Sequence, residues 1–169
     1  MKKALFAIFL GLTSPAWAAP ADHFVKQGEE ALAARDVAGA LKAFDAALDA
    51  DPKNAKAAYD RGRINLVLHK NVNAIADFTS AILADPTMGV AYSARAEAKI
   101  VMKDENGGFE DLDAGVKASP NNAEVYILRA TYRMRRGDAS GAKADLQSAR
   151  NVADEKMAIL LDAMIAKIQ

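Results

Sequence analysis

The chain has no cysteine, one tryptophan (Trp17) and two histidines (His23, His69) in 169 residues. Without cysteine there is no disulfide, no thiolate nucleophile and no thiol for a bacterial lipid anchor, so the fold rests on packing alone. The histidines lie 46 residues apart with no third ligand at metal-binding spacing, and read as surface residues. Charge of one sign is also lacking: 22 basic residues face 22 acidic ones, and no basic stretch interleaves with aromatics as a nucleic-acid surface requires. There is no Gly-x-Ser-x-Gly and no phosphate loop. Carboxylates are plentiful, as solvated helices demand, but no pair stands out as an acid and its base. These absences point to a non-enzymatic protein with neither cofactor nor metal.

No apolar run approaches the roughly 20 residues a membrane-spanning helix needs. The first residues, MKKALFAIFLGLTSPAWAAPA, instead set Lys2 and Lys3 before the apolar run Ala4–Leu12, then Pro15 and the small-x-small triplet Ala16-Trp17-Ala18. That is the layout of a cleavable secretory signal, here residues 1–18, with cleavage after Ala18 or after Ala21. A retained N-terminal anchor is the weaker reading. Loss of Lys2 and Lys3 would leave 20 basic against 22 acidic residues, too small an imbalance to choose a partner. The expected location is a bacterial periplasm or the exterior, with no membrane insertion after cleavage.

What the rest of the chain does have is a repeat. Gly28, Ala40, Phe44, Ala47 and Pro52 recur 34 residues later as Gly62, Ala74, Phe78, Ala81 and Pro86. Two further shifts give Ala96, Gly108, Leu112, Gly115 and Pro120, then Ala130, Ala142, Leu146, Ala149 and Asp154. Four copies, 21–54, 55–88, 89–122 and 123–156, therefore make one domain over 19–156. Small residues at offsets 8, 20 and 27, an aromatic or Leu at 24 and Pro at 32 resemble the tetratricopeptide repeat. The resemblance implies an all-α fold, a right-handed superhelical stack of four helix-turn-helix units. Residues 155–169 would close it as a C-terminal capping helix whose stripe of Met157, Leu160, Leu161, Met164, Ile165 and Ile168 must be covered; Ile159 lies off that stripe.

Within each copy, helices A and B alternate small residues with large ones so that they interdigitate. Asp36, Asp104 and Asp138 stand just before helix B, where a carboxylate caps the first turn. Repeat two has Lys70 there, with Asn71 next to it as a substitute; Asn54 and Asn122 should cap the helices that follow them. Gly107, Gly108 and Gly115 should make helix 105–118 the softest.

A second periodicity lies outside the minimal motif. Arg61, Arg95 and Arg129 stand at offset 7 and Asp77, Asp111 and Asp145 at offset 23, while repeat one, with Gln27 and Ala43, lacks both. Joint presence and joint absence predict that each Arg meets the Asp of its own repeat rather than of the preceding one. If partly exposed, each pair contributes about 0.2–1 kcal/mol. An arginine row that binds anions is the weaker reading.

The resemblance also implies that helices A line a groove. The residues it places there include Lys56, Tyr59, Arg63, Leu66, Ser93, Glu97, Ile127 and Thr131. Tyr59 would pack on an extended peptide or a partner helix while Arg63 or Lys56 takes a carboxylate. A variant of the family binds chaperone C-termini through Lys and Asn in the first repeat, Asn in the second, and Lys and Arg in the third. Those positions hold Val25 and Glu29, Asp60, and Val90 and Ala94, so none matches. The expected function is a scaffold binding a peptide or protein partner in this groove. The alternatives are a self-associating structural protein, for which a homo-oligomer is possible, or an accessory chaperone for exported clients.

Overall fold

The computed structural model describes residues 18–168. Of the expected signal segment, residues 1–18, all but Ala18 lies outside them. Nine helices follow one another among the described residues: α1 (Ala18–Ala33), α2 (Val37–Ala50), α3 (Ala55–Val67), α4 (Asn71–Ala84), α5 (Gly89–Val101), α6 (Glu105–Ala118), α7 (Ala123–Arg135), α8 (Ala139–Val152) and α9 (Glu155–Ala166). They pack as four pairs, α1 with α2 through α7 with α8, each resting on the next, with α9 on α8. The odd-numbered helices up to α7 are the A helices and their partners the B helices.

The repeated small and large residues explain the pairing. Phe44, Phe78, Leu112 and Leu146 are buried on the B helices at equivalent positions. Burying each side chain contributes about 1.5–3 kcal/mol. The facing A helix must be small where each ring lands: a Cβ on Gly62 would sit 2.7 Å from the Phe78 ring, and one on Gly28 2.6 Å from that of Phe44. In repeats three and four the large member shrinks to Leu and the small one grows to Ala96 or Ala130. Pro52 and Pro86 fall in the turns from B helix to A helix, where a missing N–H does no harm.

Helix ends follow the sequence closely, with one exception. Asp36, Asp104 and Asp138 accept the backbone N–H of Gly39, Gly107 and Gly141 at 2.8, 3.0 and 2.8 Å, and Asn54 and Asn122 cap α3 and α7. A side chain at any of those three glycines would press on the capping carboxylate as it is placed, although Asn54 and Asp154 make the same bond to Ala57 and Met157. Gly107 is thus a capping partner, while Gly108 and Gly115 lie against Ile100 and the Gly89 carbonyl, and α6 is continuous. Repeat two differs. Lys70 precedes α4 without a side-chain cap, Asn73 replaces the glycine, and Asn71 does not serve as the substitute, because it is already inside the helix with its Oδ1 buried and unbonded.

Each A helix ends on a residue in the left-handed region: Arg35, His69, Lys103 and Gly137, with φ of 62°, 57°, 71° and 80°. The paired bonds of a left-handed helix stop close the turn, as in Asp104 N–H to Lys99 O at 2.9 Å and Lys103 N–H to Ile100 O at 3.0 Å.

The last helix departs from expectation. Leu161 is fully buried and Ile165 and Ile168 pack beside it, but Met157, Leu160 and Met164 are 40, 55 and 43 % exposed. The apolar arc of α9 is wider than the surface α8 offers, so only half of it is covered.

Candidate functional site

Two polar arrangements run through the stack, one structural and one open to solvent. The first is built by the Arg and Asp periodicity. Nε and Nη2 of Arg61 both donate to one Asp77 oxygen at 3.1 and 2.6 Å; Arg95 holds the two oxygens of Asp111 at 2.8 and 2.6 Å, and Arg129 those of Asp145 at 3.0 and 2.6 Å. The structure therefore brings each Arg to the Asp of its own repeat. It also shows a second arm, because Nη1 of the same arginines reaches back to Asp45, Thr79 and Asp113 on the preceding B helix at 2.7, 3.1 and 2.8 Å. That arm adds a contact between repeats that the offsets did not suggest.

The condition of partial exposure holds for the arginines, 29, 17 and 15 % exposed, but not for their partners. The carboxylates of Asp77, Asp111 and Asp145 are only 6, 6 and 3 % exposed. Each takes a further donor from its own A helix: Asn65 at 2.8 Å, Lys99 at 2.8 Å and Arg133 at 2.9 Å. Burial alone would lower the affinity of Arg61 and Arg129 for their protons, but the bonds to Asp77 and Asp145 outweigh it and hold both above the ordinary value. With their guanidinium groups committed on two sides, these arginines are ties between repeats rather than an anion-binding row.

The second arrangement is a groove of about 490 Å³ lined by α3, α5 and α7. Of the residues expected there, Tyr59, Arg63, Leu66, Ser93, Glu97 and Ile127 form its wall. Lys56 and Thr131 do not. The Lys56 ammonium is held by Glu29 at 2.7 Å and Asp60 at 3.0 Å; burial tends to lower its proton affinity, but these bonds prevail and raise it. The Thr131 hydroxyl donates to the Ile127 carbonyl at 2.8 Å. His69 and Asn71, at the turn from α3 to α4, join the wall although the helical pattern gave no reason to expect turn residues in it.

The groove is mostly aliphatic, with charge at both ends. Arg63 and His69 occupy the side of repeat two, Glu97 and Glu124 that of repeats three and four. Tyr59 is wedged against Phe78, with ring centroids 5.9 Å apart, and the Arg63 guanidinium carbon lies 5.8 Å from the Tyr59 ring centroid. Burial pushes the Tyr59 phenol above its usual range. Among the described residues, the two buried side-chain polar atoms without a hydrogen-bond partner are Asn71 Oδ1 and Ser93 Oγ, and both belong to residues of this wall. Both atoms are buried behind the groove surface rather than presented to it, and Ser93 Oγ lies beside Gly115 of α6, so they offer a ligand nothing.

Residues 25–88 match the tetratricopeptide repeat family model. Solved structures extend the likeness over most of the chain. A crystal structure of MamA superposes with a TM-score of 0.68 at 17 % identity, covering 80 % of this chain and 80 % of that one. TTC0263, a thermophilic TPR protein of Thermus thermophilus, gives 0.67 at 21 % identity, with 79 and 75 % covered. The first TPR of Spaghetti (RPAP3), solved bound to the HSP90 peptide SRMEEVD, gives 0.64 at 20 %, with 71 and 95 % covered. The fold is a tetratricopeptide-repeat solenoid. No curated protein matches the chain, and at these identities the structural likeness carries the TPR fold alone.

Among the described residues of this TPR stack, no group of three His, Cys, Asp or Glu side chains could hold a metal ion. No described helix is long and apolar enough to cross a membrane.

Proposed function

We propose that the protein is a non-enzymatic, exported scaffold that binds a peptide segment of a partner protein in the groove of α3, α5 and α7. The observation that carries this reading is the groove itself, where an aromatic face, aliphatic walls and one cation share a surface on helices tied by the Arg and Asp network. The RPAP3 domain, solved with a peptide, supports a peptide ligand for a stack of this kind. The first twenty residues support export to a bacterial periplasm.

Affinity capture of the mature protein from a periplasmic fraction, beside a Tyr59→Ala/Arg63→Glu double variant shown by circular dichroism to fold, tests it. The expected result is one specific partner that the variant loses. A variant that retains every partner sinks the groove reading.

A second reading has its own observation. Met157, Ile159, Leu160 and Met164 leave an exposed apolar face on α9, 64 % exposed at Ile159, which favours self-association. A mass by light scattering that rises with concentration for the wild type and not for Leu160→Glu would establish it.

A further inference from the structure

Beside the groove lies a smaller pocket of about 200 Å³ where three helix ends meet. Leu32 from the end of α1, Val37 from the start of α2, and Ile64, Val67 and Leu68 from the end of α3 make an aliphatic cup. Leu32, Val37, Val67 and Leu68 are all partly open to solvent, at 37, 41, 77 and 41 %. Arg63 and Val67, one turn apart on α3, line both the cup and the groove and form the ridge between them.

The charges around that ridge are unequal. Lys56 is held by Glu29 and Asp60, and Arg61 by Asp45 and Asp77. Asp60, the carboxylate in the cup, is therefore already engaged. Arg63 is exposed, and among the described residues no carboxylate lies within ion-pair distance of it. At the far end of the groove Glu97 and Glu124 would repel an anion. A ligand carboxylate therefore has one favourable place along this surface, on the ridge, with an aliphatic recess on either side.

Building on the groove reading, we infer that the ligand is an extended segment carrying apolar, acidic and apolar side chains at alternate positions. The first apolar side chain fills the cup of Leu32, Val37 and Leu68, the carboxylate meets Arg63, and the second lies between Tyr59 and Ile127. Side chains at alternate positions of an extended chain share one face. Five residues span about 13 Å between the outer two, enough to straddle a single Arg side chain. Among cations, Arg suits this task because its planar fork takes a carboxylate in a fixed direction.

The test uses the full mature chain and fluorescein-labelled acetyl-Leu-Ser-Asp-Ser-Leu-amide, with counterparts carrying Lys for Asp or Ser for either Leu, read by fluorescence polarisation. The Asp peptide should bind about tenfold more tightly than the Lys peptide, and Arg63→Glu should reverse the preference. Val37→Asp should abolish the advantage of one leucine and leave that of the other intact; Leu68→Asp, at the same cup, should do likewise. Both replace partly exposed side chains, and circular dichroism checks that the helices remain. Equal binding of the Asp and Lys peptides, indifference to both cup variants, or no binding of any peptide overturns the inference. Tyr59→Ala separates the two levels. If it weakens every peptide while charge and cup changes do nothing, the groove stands and the acidic motif falls; if it changes nothing, the groove itself is wrong.

Discussion

Repeat one and repeats two to four share a backbone but not an ion network. Gln27 and Ala43 stand in the first copy where the others have Arg and a buried Asp, yet Phe44, Ala40 and Ala47 are as completely buried there as their counterparts elsewhere. Pairing an A helix with its own B helix therefore needs no Arg. What the Arg adds is the arm to the preceding B helix, and repeat one has no preceding repeat to reach. It supplies only the acceptor, Asp45. Three ties join four units, and the absence at one end is a consequence of what the tie does.

That comparison is broken most severely by removing one arginine. Arg61→Gln, which copies half of repeat one, leaves the buried Asp77 with Asn65 as its remaining side-chain donor. Stripping the partner from a buried charge costs about 3–5 kcal/mol. Adding Asp77→Ala completes the copy and should recover a large part of that loss, because no buried charge is left. Arg95→Gln should cost less than Arg61→Gln, since Lys99 still holds Asp111 at 2.8 Å. Urea unfolding monitored by circular dichroism reads all three, and a double variant no more stable than Arg61→Gln would show that the buried charge is not the cause.

The small and large pairs give a milder version of the same test. Repeats one and two use Gly with Phe, repeats three and four Ala with Leu. Gly62→Ala would bring a methyl group to 2.7 Å from the Phe78 ring, an overpacking worth about 1–3 kcal/mol. Combined with Phe78→Leu it recreates repeat three. The two changes together should cost less than the sum of each alone, and strict additivity in urea midpoints would refute the steric account.

Much of this was legible in the sequence because it is periodic. The four helix pairs, the Asp and Asn caps and the Arg to Asp contact all follow from residues recurring at one offset, and six of eight expected groove residues line the cavity. What escaped is what periodicity does not encode. The reach of Arg to the preceding helix uses Asp45, Thr79 and Asp113, whose types vary. Lys56 meets Asp60 one turn on in its own helix, a spacing that could have been read, but its shorter contact is to Glu29 of another repeat, which no spacing within one copy reveals. The apolar arc of α9 was plain, but how much of it α8 could cover depends on packing geometry. The cup beside the groove is assembled from the ends of three helices, so none of them carries a pattern for it.

The smallest expected effect concerns the turns that end the A helices. Three of the four use a residue with a side chain in the left-handed region, and the fourth uses glycine. A Cβ at Gly137 would meet nothing within 4 Å, so any penalty for a side chain there comes from the backbone alone. Left-handed φ costs a non-glycine residue about 1 kcal/mol. Lys103→Gly should therefore stabilise the stack by nearly that amount, less what glycine loses through its freer unfolded chain, and Gly137→Lys should destabilise it similarly. Lys103 is exposed and its backbone bonds are kept by glycine, which makes the pair a clean exchange between two repeats. Should both variants shift the urea midpoint in the same direction, the difference between the turns lies in their surroundings and not in φ.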